Sequence, residues 1–79
     1  MNYADIIAAL PADVATLFES KLDSMHISSN LSQVEAQDLF DEAVKLTKLE
    51  MVLKDEAMKR MVDTLLTMLS GAGVKAIFG

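Results

Sequence analysis

The sequence contains no cysteine, one proline, one histidine and only three glycines. Without cysteine, the chain has neither a disulfide staple nor a thiolate ligand set for a metal. A chain of 79 residues buries only about 60% of the surface that its unfolded form exposes, so it is marginally stable alone. Small domains that lack staples commonly gain stability from a second chain. We therefore expect one domain at most, with a homo-oligomer or another protein as partner.

Long apolar runs are also missing. No run approaches the roughly 20 residues that a helix needs to cross a bilayer, so we expect no membrane span. No basic segment precedes Ile6 and Ile7, which argues against a cleaved signal peptide. The expected location is the cytoplasm at synthesis, and export without a cleaved signal is compatible with the same sequence. The net charge of −5 argues against nucleic-acid binding, because phosphate contacts need clustered Lys and Arg.

Residue clusters that would indicate a reaction are not found. Glycine-rich phosphate loops, Walker-type lysines and EF-hand spacing are absent. His26 is the only histidine and lies in a predicted loop, remote from paired acids, which argues against a metal site and a Ser-His-acid triad. Asp23-Ser24-Met25 resembles the attachment site of acyl carrier proteins, but carriers place this serine at the start of an acid-rich helix. We expect no enzyme activity, no cofactor and no small-molecule substrate.

The charges that are present are unevenly distributed along the chain. Through Ala43 there is one basic residue against eight acidic ones, and from Val44 onward there are six basic residues against four acidic ones. An acidic front and a mildly basic back suit an antiparallel hairpin or the head-to-tail stacking of subunits. An ordinary solvated surface explains the same distribution, because surface charge mainly tunes solubility and association.

Two short helices are predicted at the start of the chain. Asn2 is a residue type that favours helix N-caps. Pro11 disfavours the α conformation at Leu10 and is well tolerated in a first helical turn. We therefore expect a helix over 3–10, a kink, and a second helix over 11–25. The second helix carries an apolar stripe of the kind that usually faces a core: Val14, Leu17, Phe18, Leu22 and Met25.

A single long helix is predicted over 32–70. This span contains no Gly and no Pro and is rich in strong helix formers. Ser32 and Glu35 have the spacing of a capping box, and Gly71 and Gly73 supply left-handed stop residues at the other end. At about 1.5 Å per residue, such a helix is roughly 55–60 Å long.

The predicted fold is all-α: a helical hairpin with short, kinked N-terminal helices and one long C-terminal helix. The Ser- and Asn-rich segment 26–31 is expected to be the loop between antiparallel helices. The apolar tail 71–79 is expected to fold back on the bundle or to insert into a neighbour. The alternative is a break of the long helix near Leu46–Leu49, which would fold the chain into a compact bundle.

The long helix has a broad apolar face, and the N-terminal helices are too short to cover all of it. Glu50 and Lys54 project into the middle of this face, where they pair with each other or with a neighbour, or lie in a partly exposed helix centre. Methionine is flexible and common on adaptable binding surfaces, so the uncovered part predicts an interface. The predicted interface residues are Glu50, Met51, Lys54, Met58, Met61, Leu65, Met68, Leu69 and Phe78.

Two segments of this helix resemble the C-terminal helix of type III secretion inner-rod and needle subunits. Glu50-Met51-Val52-Leu53-Lys54 matches their Glu-x-x-x-Lys motif, and Val62-Asp63-Thr64-Leu65 matches the Val-(Glu/Asp)-Thr-Leu that follows it. Upstream, Ala36-Gln37 and Leu39 are similar to the start of that helix. The resemblance implies a hairpin that assembles with copies of itself into an export conduit and performs no catalysis.

The sequence therefore predicts a non-enzymatic helical assembly or interaction protein, whose most specific form is a secretion-apparatus rod or needle subunit. The alternative is a small helical regulator or inhibitor, of phage or plasmid type, that binds a host protein through its methionine-rich helix face. A small-molecule carrier is a third and weaker reading. Dependence of size on concentration separates the first two. A subunit grows with concentration into large species, whereas an inhibitor stops at the monomer or dimer and gains mass only with its target.

Overall fold

The computed structural model describes residues 2–26 and 30–79. Within these ranges the protein consists of four helices, α1 (Tyr3–Ala9), α2 (Ala12–Met25), α3 (Gln33–Glu50) and α4 (Glu56–Phe78), and has no strand. The all-α class is confirmed. Residues 27–29 of the expected loop lie outside the described part of the chain.

Helices α1 and α2 begin and end close to where the sequence places them. The side chain of Asn2 caps α1 by accepting a 2.9 Å hydrogen bond from the backbone N–H of Asp5. Leu10 is extended, with φ −76° and ψ 149°, because the ring of Pro11 excludes the helical conformation at the preceding residue. His26 ends α2 in the left-handed conformation, with φ 53°.

The N-terminus of α3 is closed by the expected capping box. The Ser32 hydroxyl accepts a 3.1 Å hydrogen bond from the Glu35 N–H, and the Ser32 N–H donates a 3.2 Å bond to the Glu35 carboxylate. This reciprocal pair satisfies two of the donors that a helix start leaves unpaired.

The prediction of one continuous helix over 32–70 is wrong. Helix α3 ends at Glu50, and α4 begins at Glu56 after the non-helical connection Met51–Asp55. Folding back places Val62 and Leu66 in the core, and burying an aliphatic side chain of this size stabilises by about 1.5–3 kcal/mol. A continuous helix in a lone chain would leave these side chains in water. The break lies just beyond Leu46–Leu49, near which the alternative prediction placed it.

The prediction that Gly71 and Gly73 stop a helix, with 71–79 as a separate tail, is also wrong. Helix α4 passes through both glycines and ends at Phe78. A Cβ at Gly73 would lie 2.3 Å from the ring of Phe40 on α3. Gly73 therefore permits close contact between two helices, which is a tertiary role that helix-stop rules do not anticipate.

The helices pack around one core, in which α4 contacts α3 and α1 while α2 contacts α3. The molecule measures 39 × 24 × 17 Å. Every helix contributes to the buried cluster: Ile6, Leu10, Val14, Phe18, Phe40, Ala43, Val44, Val62, Leu66, Leu69 and Val74. Among the described helices, none covers one long side of α4.

Candidate interaction surface

The predicted interface residues are divided between the core and the surface. Met58, Met61 and Met68 are 42%, 49% and 40% exposed, and Phe78 is also exposed near the end of α4. Met51 and Leu65 are half-buried against the core. Leu69 is fully buried, so its assignment to an interface is wrong for this fold. Leu69 lies on the side of α4 that α1 and α3 cover. The sequence alone does not show which side of α4 is covered.

Of the arrangements left open for Glu50 and Lys54, a pair on one helix face is not formed. Glu50 is the last residue of α3, and Lys54 is exposed in the connection. The Glu50 carboxylate instead forms an ion pair with Lys21 of α2, and both side chains are partly exposed. This contact ties α2 to the end of α3. The two residues are separated because the helix breaks between them.

A continuous apolar strip follows the uncovered side of α4. Met58, Met61, Leu65, Met68 and Ala72 are spaced three, four, three and four residues apart, the heptad spacing with which helices pack against one another. We call these five residues the methionine stripe. At about 1.5 Å per residue it extends for roughly 21 Å, and its three methionines are its most exposed members.

From Thr64 to Val74, the surroundings of the methionine stripe carry few polar groups free for other contacts. No charged residue occurs from Thr64 to Val74. The Thr64 hydroxyl donates to the Arg60 carbonyl, and the Thr67 hydroxyl donates to the Asp63 carbonyl, at 3.0 and 2.9 Å. A surface whose hydroxyls are bonded to their own helix suits an apolar partner.

Polar contacts between α3 and α4 fix the rotation of α4. Gln37, Asp41 and Ser70 form a hydrogen-bonded cluster across the two helices, in which Gln37 donates to Asp41 at 3.1 Å and the Ser70 hydroxyl donates to Asp41. One turn toward the connection, Lys48 donates a 2.7 Å bond to Thr67. These bonds hold one side of α4 against α3 and leave the methionine stripe on another side.

Length and composition alone would allow α4 to cross a membrane, and among the described residues it is the one helix of which this is true. The core helix of a water-soluble protein meets the same criterion. In this fold, Val62, Leu66 and Leu69 of α4 form part of the core. The expectation of no membrane span therefore stays a prediction.

In the part of the chain that the structure describes, the titratable groups do not form a metal-binding cluster. The described ranges contain no group of three or more His, Asp or Glu side chains placed to hold a metal. Burial, followed by the nearby Glu19 and Asp23 carboxylates, raises the pKa of the Tyr3 phenol. Hydrogen bonds from Ser32 lower the pKa of Glu35 in the capping box. Both shifts belong to structural contacts.

Sequence reasoning missed the partners that position this surface. Ala72 continues the heptad spacing and could have been found by extending the count past Gly71, but the predicted helix stop excluded it. Lys21 and Ser70 carry no local signal, because each acts through a residue far away in the sequence. Gln37 has a local partner in Asp41, but its bond to Ser70 has no local signal. Comparisons with protein-family models, curated proteins and solved structures found no match to this chain.

Proposed function

We propose that this protein is a non-enzymatic interaction protein that binds an amphipathic helix of another protein through the methionine stripe. The observation that carries the proposal is the exposure of Met58, Met61 and Met68 along one side of a folded helix. Together with Leu65, these methionines occupy positions i, i+3, i+7 and i+10, the heptad spacing of anchors on a helix that lies along another helix. Methionine adapts its shape to the groups it contacts, which suits a binding surface.

The fold supports a surface that is ready to bind. The core beneath α4 is closed by Val62, Leu66 and Leu69, and the cluster around Ser70 fixes the rotation of the helix. A partner therefore does not have to reorganise α4 before contact, which reduces the conformational entropy lost on binding.

Self-assembly as a secretion-apparatus rod or needle subunit is the second candidate. The uneven distribution of charge favours it, because an acidic front can contact a basic back in the next copy. In the single chain, Glu50 ends α3 and Lys54 lies beyond it, so the Glu-x-x-x-Lys motif does not lie along one helix. If this chain assembled as the rod and needle subunits do, α3 and α4 would have to form one continuous helix.

The test compares two charged variants with matched chemistry. The double variant Met61→Lys/Met68→Lys places two charges on the methionine stripe, and Val34→Lys/Leu49→Lys places two charges on exposed apolar residues elsewhere. All four positions are exposed, so each substitution should change the free energy of unfolding by about 0.5 kcal/mol or less. Affinity capture with wild type and both variants, followed by calorimetry with each purified captured protein, measures the effect.

We expect the stripe variant to lose at least about 30-fold in affinity, since two central anchors typically contribute 2 kcal/mol or more. The control variant should bind like wild type. Equal binding by both variants would contradict the proposal. Light scattering separates the second candidate, because a rod or needle subunit grows with its own concentration into large species. An interaction protein stops at the monomer or dimer and gains further mass only with its partner.

A further inference from the structure

The connection between α3 and α4 consists of residues that are compatible with a helix. Met51–Asp55 contains neither Gly nor Pro, and Met, Leu and Lys are good helix formers. Met51 is extended, with φ −67° and ψ 145°, while its N–H still bonds to the Thr47 carbonyl at 2.9 Å. Among the described residues only His26 and Gly79 have positive φ, so α3 ends without a left-handed terminator.

Two local features hold the connection out of the helix. The Asp55 side chain accepts hydrogen bonds from the N–H groups of Ala57 and Met58, at 2.9 and 3.2 Å, and thereby caps α4. Met51 and Leu53 pack against the core. Asp55 itself is exposed. The break therefore depends on the docking of α4 against α1 and α3, on one exposed cap, and on the packing of Met51 and Leu53.

That docking does not require α4 to belong to the same chain. We propose that two copies of this protein exchange α4, with residues 51–55 as the hinge, and form a two-fold dimer. Each hinge becomes helical and joins α3 to α4 in one helix from Gln33 to Phe78, roughly 69 Å long at about 1.5 Å per residue. The α4 of each copy then packs on α1 and α3 of the other with the contacts it makes in the monomer.

Exposed apolar residues beside the hinge support a second copy of this chain as the partner that covers them. Leu49 and Val52 are 73% and 81% exposed, the two most exposed large apolar side chains of the described residues. In the exchanged dimer the two hinges meet at the two-fold axis, so these side chains gain apolar neighbours from the second copy. The continuous helix also brings Glu50 and Lys54 to the i, i+4 spacing of a favourable pair. A small chain without staples commonly gains stability by oligomerisation.

The exchange is independent of the proposed function. Helix α4 keeps its packing on α1 and α3 in both forms, so the methionine stripe is uncovered in the monomer and in the exchanged dimer. Charges on the stripe should abolish partner binding without affecting the exchange, whereas hinge substitutions should affect the exchange first. Failure of either proposal is thus visible separately.

The first experiment uses one hinge substitution that opposes the exchanged dimer and one that favours it. Val52→Pro prevents a continuous helix, because proline removes an N–H and its ring clashes with the preceding turn. The monomer should tolerate it, since Val52 is exposed and Met51 already has the extended conformation that precedes proline. Asp55→Ala removes the cap from the monomer only, and Asp55→Asn, which keeps a capping side chain, is its control.

Each protein is refolded from denaturant at high and low concentration, and its mass is measured by size exclusion with light scattering. Wild type should form dimers in a concentration-dependent manner, and Asp55→Ala should raise the dimerisation constant roughly 10-fold or more, because a dimer forms from two monomers that each lost a cap. Asp55→Asn should behave like wild type, and Val52→Pro should stay monomeric with an unchanged helical circular dichroism spectrum. If Val52→Pro does not fold, the comparison of Asp55→Ala with Asp55→Asn still shows whether loss of the cap promotes dimerisation.

The second experiment identifies the exchange itself. Asp41→Cys and Ser70→Cys are made in separate chains, because these side chains are hydrogen-bonded across α3 and α4. Refolding the two together and oxidising should give a disulfide between different chains, whereas Glu42→Cys with Ser70→Cys should give none. The proposal is overturned if wild type and Asp55→Ala remain monomeric at every concentration. It is equally overturned if dimers form without the 41–70 cross-link, or if Val52→Pro folds and dimerises like wild type.

Discussion

At the residue scale, Gly71 and Gly73 show how far local sequence rules extend. Both are good helix-stop residues by type, and both lie inside α4. The capping box at Ser32 and Glu35 was predictable because its partners are three residues apart. The role of Gly73 depends on Phe40, 33 positions away in the sequence, and no local pattern reports that contact.

The same two glycines give a matched pair of substitutions. Gly71→Ala should stabilise the fold by about 0.5–1 kcal/mol, because no atom of the described residues lies within 4 Å of the new Cβ and alanine is the better helix former. Gly73→Ala should destabilise by about 1–3 kcal/mol, because its Cβ would overlap the buried Phe40 ring, which also packs edge-on to Tyr3. Urea unfolding of both variants measures the difference. Effects of the same sign would show that Phe40 moves aside without cost.

At the element scale, the starts of α1, α2 and α3 were more predictable than the end of α3 and the start of α4. Asn2 and Pro11 act on their immediate neighbours, so helix α1, the kink and helix α2 followed from the sequence. The break at Met51–Asp55 has no such signal, since every residue in it is compatible with a helix. It exists because α4 buries more surface against α3 and α1 than a straight helix could in one chain. Its position follows from tertiary packing.

The contact between α2 and the end of α3 leads to a prediction about Lys21 and Glu50. A double-mutant cycle with Lys21→Ala and Glu50→Ala should give a coupling energy of about 0.2–1 kcal/mol, because both side chains are partly exposed to screening solvent. Lys54 lies exposed in the connection, so Glu50→Ala should not affect it. A matched cycle with Lys54→Ala and Glu50→Ala should give no coupling in the monomer. Stronger coupling to Lys54 than to Lys21 would indicate the continuous helix.

At the scale of the whole molecule, the sequence identified the candidate surface but not its boundaries. Met58, Met61 and Met68 share one helix face, and that relation is local to α4. Leu69 is adjacent in the sequence and fully buried, because α1 and α3 cover its side of the helix. Which faces of a helix are covered depends on how all helices pack together. Helical periodicity in the sequence therefore identifies an apolar face, but it does not show which part of that face is exposed.

The whole-molecule charge distribution leads to the last prediction. Eight of the 12 acidic residues precede Val44, and in the described ranges one ion pair, Lys21–Glu50, meets the salt-bridge distance. These acidic residues affect Tyr3, because Glu19 and Asp23 add to the effect of burial in raising the pKa of its phenol. Repulsion among these carboxylates opposes the compact state and is screened by salt.

Raising sodium chloride from about 10 mM to 0.5 M should therefore stabilise the fold by on the order of 0.5 kcal/mol, because the Debye length falls from about 30 Å to only a few ångströms. Asp38→Lys, at an exposed site on α3, should reduce this dependence because it removes one acid and adds one base to the acidic part. Lys59→Arg, which keeps the charge, is the control and should respond to salt like wild type. Urea unfolding at each salt concentration measures the effect. Loss of stability with added salt would mean that attractive pairs such as Lys21–Glu50 outweigh the repulsion among the acids.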